Sequence, residues 1–247
     1  MFQDKVVFVT GGAAGIGSAI VESFARSGAV ACFCDIDDVA GEALAQRLSA
    51  HFYHVDVCDA KSLELAFLDV VERFGGVDIL VNNVGVSRFT PLEEISLDEF
   101  DSVIATNLRP AFITSRLYAR SRNNESGRQR YGRIINISST RHQQSESSSE
   151  AYAASKGAIV SLTHALAVSL SGYNTTVNCI SPGWIDTSCG AYEQSDNDRR
   201  QHPSGRVGTP SDVARLVMYI ADCANDFLNG ENITLDGGMT KKMIYAE

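Results

Sequence analysis

The stretch Thr10-Gly11-Gly12-Ala13-Ala14-Gly15-Ile16-Gly17 decides the fold of this 247-residue chain. It follows the apolar run Lys5 to Val9 and precedes a segment with helical spacing, which indicates a strand, a glycine turn and a helix N-terminus. Such a turn lets a phosphate approach the free backbone N–H groups of the helix, so we expect it to bind a dinucleotide pyrophosphate. A Walker A loop is excluded because Ser18-Ala19 stand where that loop requires Lys-Ser/Thr.

Short β-rich runs alternate with amphipathic segments along the chain. This alternation predicts a doubly wound Rossmann fold of the α/β class, in a single domain over residues 1–247 with a seven-stranded parallel sheet flanked by helices. The predicted strands are Lys5 to Thr10, Val30 to Asp35, His51 to Asp56, Asp78 to Asn82, Gly132 to Ser138, Thr176 to Ser181 and Asn232 to Asp236. The predicted helices include Gly15 to Ser27, Ala60 to Phe74, Ser96 to Tyr118, Glu150 to Leu170 and Pro210 to Cys223.

Charge and hydropathy narrow the class of protein. The net charge of −9 argues against general nucleic-acid binding, and every apolar run is shorter than the roughly 18 residues of a membrane span. Because only Met1 to Asp4 precede the first strand, we expect a cytoplasmic protein without a signal peptide. The local arginine cluster indicates a solvated loop, with docking of an acidic partner as the alternative; its members are Arg120, Arg122, Arg128, Arg130 and Arg133.

The six cysteines show no metal or disulfide spacing. Cys32, Cys34, Cys58 and Cys179 lie in strand-like runs, whereas Cys189 and Cys223 have no CxxC partner, so we expect reduced and mostly buried thiols. His54, Asp56 and Cys58 alternate along a predicted strand. We therefore interpret them as one face of that strand rather than as a metal site, and we expect no metal.

Asp35 ends the second predicted strand, eighteen residues after Gly17. An acidic side chain at this place accepts hydrogen bonds from the adenosine ribose and repels a 2′-phosphate. Ala14 offers no arginine in the turn to offset that repulsion. The sequence thus favours NAD over NADP.

Tyr152 and Lys156 stand four residues apart on a predicted helix, which places a phenol and an ammonium on one face. A phenol loses its proton near pH 10, and a neighbouring cation lowers that pKa toward the range of a useful base. Tyr-x-x-x-Lys alone often occurs by chance. Its function is therefore inferred together with the other motifs of the chain.

Over nearly its full length the chain resembles a short-chain dehydrogenase/reductase. Five elements occur in that family's order: Thr10 to Gly17, Asn82-Asn83-Val84-Gly85, Asn107, Ser138-Ser139 and Tyr152 to Lys156. Pro182-Gly183 with Thr187 and Asp236-Gly237-Gly238 agree as well. Val84 stands where the family commonly has alanine, and the arginine-rich segment is a few residues longer than usual.

The resemblance implies that Tyr152 is the acid/base, that Ser139 holds the substrate oxygen, that Lys156 binds the nicotinamide ribose and lowers the Tyr152 pKa, and that Asn107 supports a proton relay. It also implies a homo-oligomer, a tetramer or a dimer. The tail Met239 to Glu247 is too short for its sequence to indicate a role in subunit contacts. The expected cofactor-binding residues are Thr10, Gly11, Gly15, Ile16, Gly17, Asp35, Ile36, Asp56, Val57, Asn83, Gly85, Tyr152, Lys156, Pro182, Ile185 and Thr187.

The substrate pocket should form after Gly85, Ser139 and Gly183, which nominates Arg88, His142, Gln144, Trp184 and Tyr192. Their polarity favours a sugar, polyol or hydroxy acid, interconverted between secondary alcohol and ketone with NAD. A 3-oxoacyl-carrier-protein reductase is the alternative within the enzymes, since it shares the catalytic motifs. A non-catalytic dinucleotide sensor is the alternative outside them.

Overall fold

The computed structural model describes residues 2–188 and 190–243, so Cys189 and the end of the tail Met239 to Glu247 lie outside the described residues. Within these described ranges, seven parallel strands form one sheet in the order β3-β2-β1-β4-β5-β6-β7. This order confirms the doubly wound Rossmann fold, and each strand bound lies within two residues of its prediction. The strands are β1 Val6–Thr10, β2 Val30–Asp35, β3 His51–His54, β4 Ile79–Asn82, β5 Gly132–Ile137, β6 Thr175–Pro182 and β7 Asn232–Leu235.

Helices connect the strands on both faces of the sheet. They are α1 Gly15–Arg26, α2 Asp38–Leu48, α3 Ala60–Phe74, α4 Leu97–Asn107, α5 Arg109–Ser121, α6 Glu125–Gln129, α7 Glu150–Ser169, α8 Asp196–Arg200 and α9 Pro210–Ala221. Short 3₁₀ turns follow β5 at Thr140–His142 and β7 at Met239–Lys241. Among the described helices, none combines the length and the hydropathy of a membrane span.

The prediction of one continuous helix from Ser96 to Tyr118 is wrong. The chain forms α4 and α5 instead, which meet at Leu108. Pro110 lies in the first turn of α5 and has no backbone N–H to donate to the carbonyl of Thr106, so the helical ladder is interrupted there. Because α4 ends at this break, Asn107 stands at a helix terminus.

Two apolar layers sandwich the sheet, and the alternation of side chains along β1 illustrates both. Val7 and Val9 pack on one face against α1 and α9, whereas Val6 and Phe8 pack on the other face against α3 and α5. A strand whose two faces are both buried reads as a continuous apolar run, which is what Val6 to Val9 show. The polar ends of the strands are thereby left at the sheet edge.

The expectation of a solvated arginine loop is wrong for three of its five arginines. Arg122 and Arg133 are buried, and Arg130 donates to both carboxylate oxygens of Asp78 at 2.6 and 2.8 Å. The Arg122 guanidinium also donates to the carbonyls of Val77, Arg130 and Tyr131. These contacts anchor the segment before β5 to the amino-terminal edge of the sheet. Arg120 and Arg128 remain exposed.

Strand β3 ends at His54, so the predicted strand face of His54, Asp56 and Cys58 does not exist. Asp56 instead accepts a hydrogen bond from the backbone N–H of Cys58 in the turn after the strand. Of the cysteines within the described residues, Cys32, Cys34 and Cys179 are buried, Cys58 is half-buried and Cys223 is exposed. Burial raises the pKa of Cys32 and Cys34 to about 12, so these two thiols stay protonated.

Candidate active site

The glycine turn is built as its sequence predicts. Gly11 has a φ of +66°, a conformation that side chains disfavour, and its N–H donates to the Cys34 carbonyl at 2.8 Å. A Cβ on Gly17 would lie 1.9 Å from the Gly11 oxygen, so only glycine lets helix α1 start this close to the turn. The turn therefore leaves backbone N–H groups of α1 facing the carboxyl edge of the sheet.

Asn83 holds this turn from the neighbouring strand. Its side-chain amide donates to the Gly11 carbonyl at 2.8 Å, and its backbone N–H donates to the Thr10 hydroxyl at 3.1 Å. Val84, the departure from the family pattern, packs against the same turn, since a Cβ on Gly11 would lie 2.9 Å from Val84 Cγ2. Valine at this position thus fills space beside the turn without closing it.

Asp35 lies at the carboxyl end of β2 with its carboxylate toward the turn. It accepts hydrogen bonds from the backbone N–H groups of Ala13 at 3.0 Å, Ile36 at 2.8 Å and Asp37 at 3.1 Å. Asp37, not Asp35, caps helix α2 by accepting from the Ala40 N–H. These three hydrogen bonds therefore fix the Asp35 carboxylate at the carboxyl edge of the sheet, beside the glycine turn.

A cavity of about 810 Å³ runs along the carboxyl edge of the sheet, a volume in the range of a large ligand site. Most predicted cofactor-binding residues line it: Gly11, Ile16, Asp35, Ile36, Asp56, Val57, Asn83, Gly85, Tyr152, Lys156, Pro182, Ile185 and Thr187. Thr10, Gly15 and Gly17 shape the turn behind the cavity wall. The wall residues Cys58, Ser87, Ser102 and Thr106 were missed by sequence reasoning, although their places just after β3 and β4, or on α4, follow from the fold.

Three groups meet at the other end of the cavity: the hydroxyls of Ser139 and Tyr152 and the amine of Lys156. Ser139 follows β5, whereas Tyr152 and Lys156 stand one turn apart on α7. Burial raises the pKa of Tyr152, while a hydrogen bond with the Ser139 hydroxyl and the positive charge of Arg141 oppose that rise. Ser138, the neighbouring serine, donates to the Lys156 carbonyl and is bound to the backbone.

Lys156 is buried, and its amine donates to the Ile137 carbonyl at 3.0 Å. Burial lowers its pKa from 10.5 to about 8. Its Nζ lies 5.6 Å from the centre of the Tyr152 ring. The ammonium and the phenol therefore share one corner of the cavity, as the predicted helix face requires.

Asn107 does not line the cavity but holds its wall. Its side chain accepts from the Val86 N–H at 2.8 Å, donates to the Val86 carbonyl at 3.0 Å and donates to the Ser155 hydroxyl at 3.0 Å. These three bonds tie the loop after β4 to α7. The side chain thus positions Gly85 and Lys156 relative to each other.

The comparisons with known proteins agree with this geometry. A family model described as enoyl-(acyl carrier protein) reductase matches residues 11–240. The chain is 44% identical over 260 residues to an uncharacterized oxidoreductase of Thermotoga maritima, with 100% of both chains covered. It belongs to the short-chain dehydrogenase/reductase family. Members of this family bind a nicotinamide dinucleotide, and the glycine turn and the cavity edge described above fit that cofactor.

This short-chain dehydrogenase/reductase is also similar to a curated dehydrogenase and to a solved structure. D-threitol dehydrogenase of Mycolicibacterium smegmatis is 35% identical over 247 residues, which cover 96% of this chain and 94% of the relative. The structure of an apo SCOR enzyme from Clostridium thermocellum superposes with a TM-score of 0.89 at 41% identity, covering 98% of this chain and 95% of the other.

The nominated substrate residues divide into two groups. Trp184 and Arg88 line the cavity, and Tyr192 supports Trp184 through a ring contact at 5.9 Å. His142 and Gln144 are not among the lining residues, so their assignment to the pocket has no support in this geometry. The Asn232 side-chain amide approaches His142 Nε2 at 2.9 Å, and the Gln144 amide donates to the Thr240 carbonyl at 3.4 Å, so both side chains are turned toward the segment around β7.

A buried chain of polar side chains runs behind the catalytic end of the site. The Asn82 amide donates to Asn136 at 2.8 Å, and the Asn136 amide donates to the Thr163 hydroxyl at 2.9 Å. The Thr114 hydroxyl donates to Asn82 at 2.7 Å. These bonds connect α5, β4, β5 and α7 in one satisfied network that fixes their register.

Proposed function

We propose that this protein is an NAD-dependent oxidoreductase that interconverts a secondary alcohol and a ketone on a small polar substrate such as a sugar, polyol or hydroxy acid. The observation that carries the proposal is the meeting of the Ser139 hydroxyl, the Tyr152 phenol and the Lys156 amine at one end of a cavity whose other end has a glycine turn. Proton transfer and oxygen binding need these groups together.

In this proposal Tyr152 Oη takes the proton of the substrate hydroxyl during oxidation and returns it during reduction. The Ser139 hydroxyl holds the substrate oxygen beside that phenol, so that the proton can pass directly between the two oxygens. The buried Lys156 amine supplies positive charge when it is protonated, and this favours the phenolate. When bound, the nicotinamide accepts or donates the hydride. Asn107 keeps the wall around these groups in place through Val86 and Ser155.

Asp35 supports NAD as the cofactor. Among the described residues that line the cavity, only Arg88 and Lys156 carry a positive side chain, and both belong to the catalytic half rather than to β2 or its following loop. A 2′-phosphate near Asp35 would therefore meet a carboxylate without a compensating cation from the cavity wall. The adenosine ribose hydroxyls of NAD suit an acceptor at this place.

A panel of sugars, polyols, hydroxy acids and simple alcohols with NAD⁺ or NADP⁺, followed by nicotinamide absorbance, tests the proposal. We expect turnover of at least one polar secondary alcohol with NAD⁺, in line with the polar groups of Arg88, Ser139 and Tyr152 in the cavity wall and with the D-threitol dehydrogenase relative. Turnover restricted to NADP⁺, or none across the panel, would contradict it.

Reduction of a 3-oxoacyl thioester is the second candidate, and a relative from Chlamydia pneumoniae described as 3-oxoacyl-[acyl-carrier-protein] reductase, 32% identical over 245 residues, favours it. The arginine cluster supports it poorly, since Arg122, Arg130 and Arg133 are bound within the protein instead of facing an acidic carrier. Comparing acetoacetyl thioester reduction with polyol oxidation separates the two candidates. A dinucleotide sensor, the candidate outside the enzymes, predicts cofactor binding without turnover on either substrate.

We also propose a homo-oligomer. The support is membership of the short-chain dehydrogenase/reductase family, whose members usually form tetramers or dimers, and Phe112 on α5 and Val168 on α7 are 51% and 75% exposed. Light scattering with this chain measures the oligomeric state, and a monomer at micromolar concentration would contradict this part.

A further inference from the structure

The segment between Ser139 and Tyr152 is built around one arginine that the function proposed above does not use. Ser139 caps the 3₁₀ turn Thr140–His142, and its Oγ accepts the backbone N–H of Arg141 at 3.2 Å. This contact occupies one lone pair of the hydroxyl. The Ser139 O–H is thereby left to point toward the phenol or toward a substrate oxygen.

The side chain of Arg141 crosses the same segment. Its guanidinium forms a hydrogen-bonded ion pair with Glu146. The Glu146 carbonyl in turn accepts from the hydroxyl of Ser149, a buried residue at the start of α7. The pair therefore links the turn that carries Ser139 to the helix that carries Tyr152. The Arg141 side chain is 28% exposed, so part of its charge is shielded from water.

Each element near Tyr152 carries charged or titratable side chains. Its own helix carries Glu150 and Lys156, the preceding segment carries Arg141, His142 and Glu146, and the loop whose Phe89 ring contacts Tyr152 at 6.3 Å carries Arg88. The Lys156 amine is directed to the Ile137 carbonyl, and burial lowers the pKa of His142, which favours its neutral form. Arg141, by contrast, is a permanent cation. Its charge opposes the rise that burial causes in the Tyr152 pKa.

We infer that Arg141 is a positioning residue for the proton transfer: its backbone N–H holds the Ser139 hydroxyl, and its ion pair with Glu146 fixes the charge of its guanidinium on the segment that joins Ser139 to the helix of Tyr152. Glu146 offsets part of that charge. The role rests on the acid/base function proposed for Tyr152. This role goes beyond that of the Lys156 charge, because Arg141 supplies a second cation from the 3₁₀ turn after β5, whereas Lys156 lies on α7.

The pH dependence of kcat/KM for alcohol oxidation tests the inference through two variants of opposite charge. Arg141→Gln removes the cation, so we expect the apparent pKa of the base to rise by roughly half a unit to one unit. Glu146→Gln removes the offsetting anion, so the same pKa should fall, by less because the Glu146 side chain is 52% exposed and screened by water. Arg141→Lys should restore most of the wild-type profile.

A matched control is Arg47→Gln, which breaks an exposed arginine–glutamate pair between α2 and α1 and should leave the profile unchanged. The inference would be overturned if the pH profiles of Arg141→Gln and Glu146→Gln shifted in the same direction, or if kcat fell without a shift in the profile. Either result would leave the Arg141–Glu146 pair with a structural role only. Titration of the Tyr152 phenolate by ultraviolet absorbance, taken as the difference from Tyr152→Phe, reports the same shifts without turnover. If no alcohol is oxidised but these shifts appear, the proposed function fails while the electrostatic coupling of Arg141 to Tyr152 stands.

Discussion

Asp35→Asn should reverse much of the discrimination between NAD and NADP. The substitution removes one negative charge from the half-buried end of β2 and keeps the size of the side chain. Two unit charges about 4 Å apart interact by about 1 kcal/mol in water and about 4 kcal/mol at an effective dielectric constant of 20. For a half-buried carboxylate we expect about 2 kcal/mol, which corresponds to a roughly 30-fold rise in the NADP⁺ to NAD⁺ ratio of kcat/KM.

The absolute affinity for both cofactors should fall at the same time. One carboxylate oxygen accepts the N–H groups of Ile36 and Asp37, and the other accepts the N–H of Ala13. The asparagine amide cannot accept the third of these bonds, which costs about 1 kcal/mol in the glycine turn. This cost is common to NAD⁺ and NADP⁺, so it cancels in their ratio.

The assay is initial-rate kinetics with each cofactor on one alcohol substrate, for the wild type and the variant. Asp38→Asn is the matched control, since Asp38 is an exposed carboxylate three residues away that does not line the cavity. It should change the ratio less than twofold. An unchanged ratio in Asp35→Asn, or equal changes in both variants, would refute the assignment of cofactor preference to Asp35.

Three further substitutions address the catalytic end and the core. Tyr152→Phe should abolish turnover and leave NADH binding, measured by fluorescence, within threefold of wild type; retained turnover would refute its acid/base role. Lys156→Met should raise the free energy of unfolding at pH 7 by about 2 kcal/mol while it abolishes activity, because a buried amine of pKa about 8 is costly to keep charged. Between pH 8 and 10.5 the Lys156 amine is protonated in the unfolded state and largely neutral in the folded state, so the stability of the wild type rises with pH. The stability difference between Lys156→Met and the wild type, measured by urea titration, should therefore shrink over this range. A constant difference would contradict the reasoning. Asp78→Asn should cost about 3 kcal/mol in the same measurement by stranding Arg130 and Arg122, and a loss below about 1 kcal/mol would show that the cluster is not coupled.

The fold was predictable because its signals are local. Alternation of apolar runs with helical spacing follows from the periods of strand and helix, and the glycine turn marks the first crossover. The break at Leu108 was also signalled locally, by Pro110, but it was missed because apolar spacing continues across it. Helix α2 begins after an ordinary N-cap signal at Asp37, although Gly41 weakens its helical pattern.

The arginines before β5 could not be placed from the sequence. Arg130 lies 52 residues from Asp78, and their pairing depends on how the segment folds back under the sheet. A charge run is usually solvated, so a local reading favours a loop. The orientation of His142 toward Asn232, 90 residues away, is a contact of the same kind. The functional roles given to Asn107, Ser139, Tyr152 and Lys156 remain predictions, whereas their arrangement in space is described above.

The buried network of Asn82, Asn136, Thr114 and Thr163 has a consequence for engineering this enzyme. Each of its members satisfies another, so replacing one amide strands a partner in the interior and costs more than the bond itself. Libraries aimed at new substrates should therefore leave this network unchanged. They should vary Arg88 and Trp184 instead, because these side chains line the cavity and are not members of the buried network.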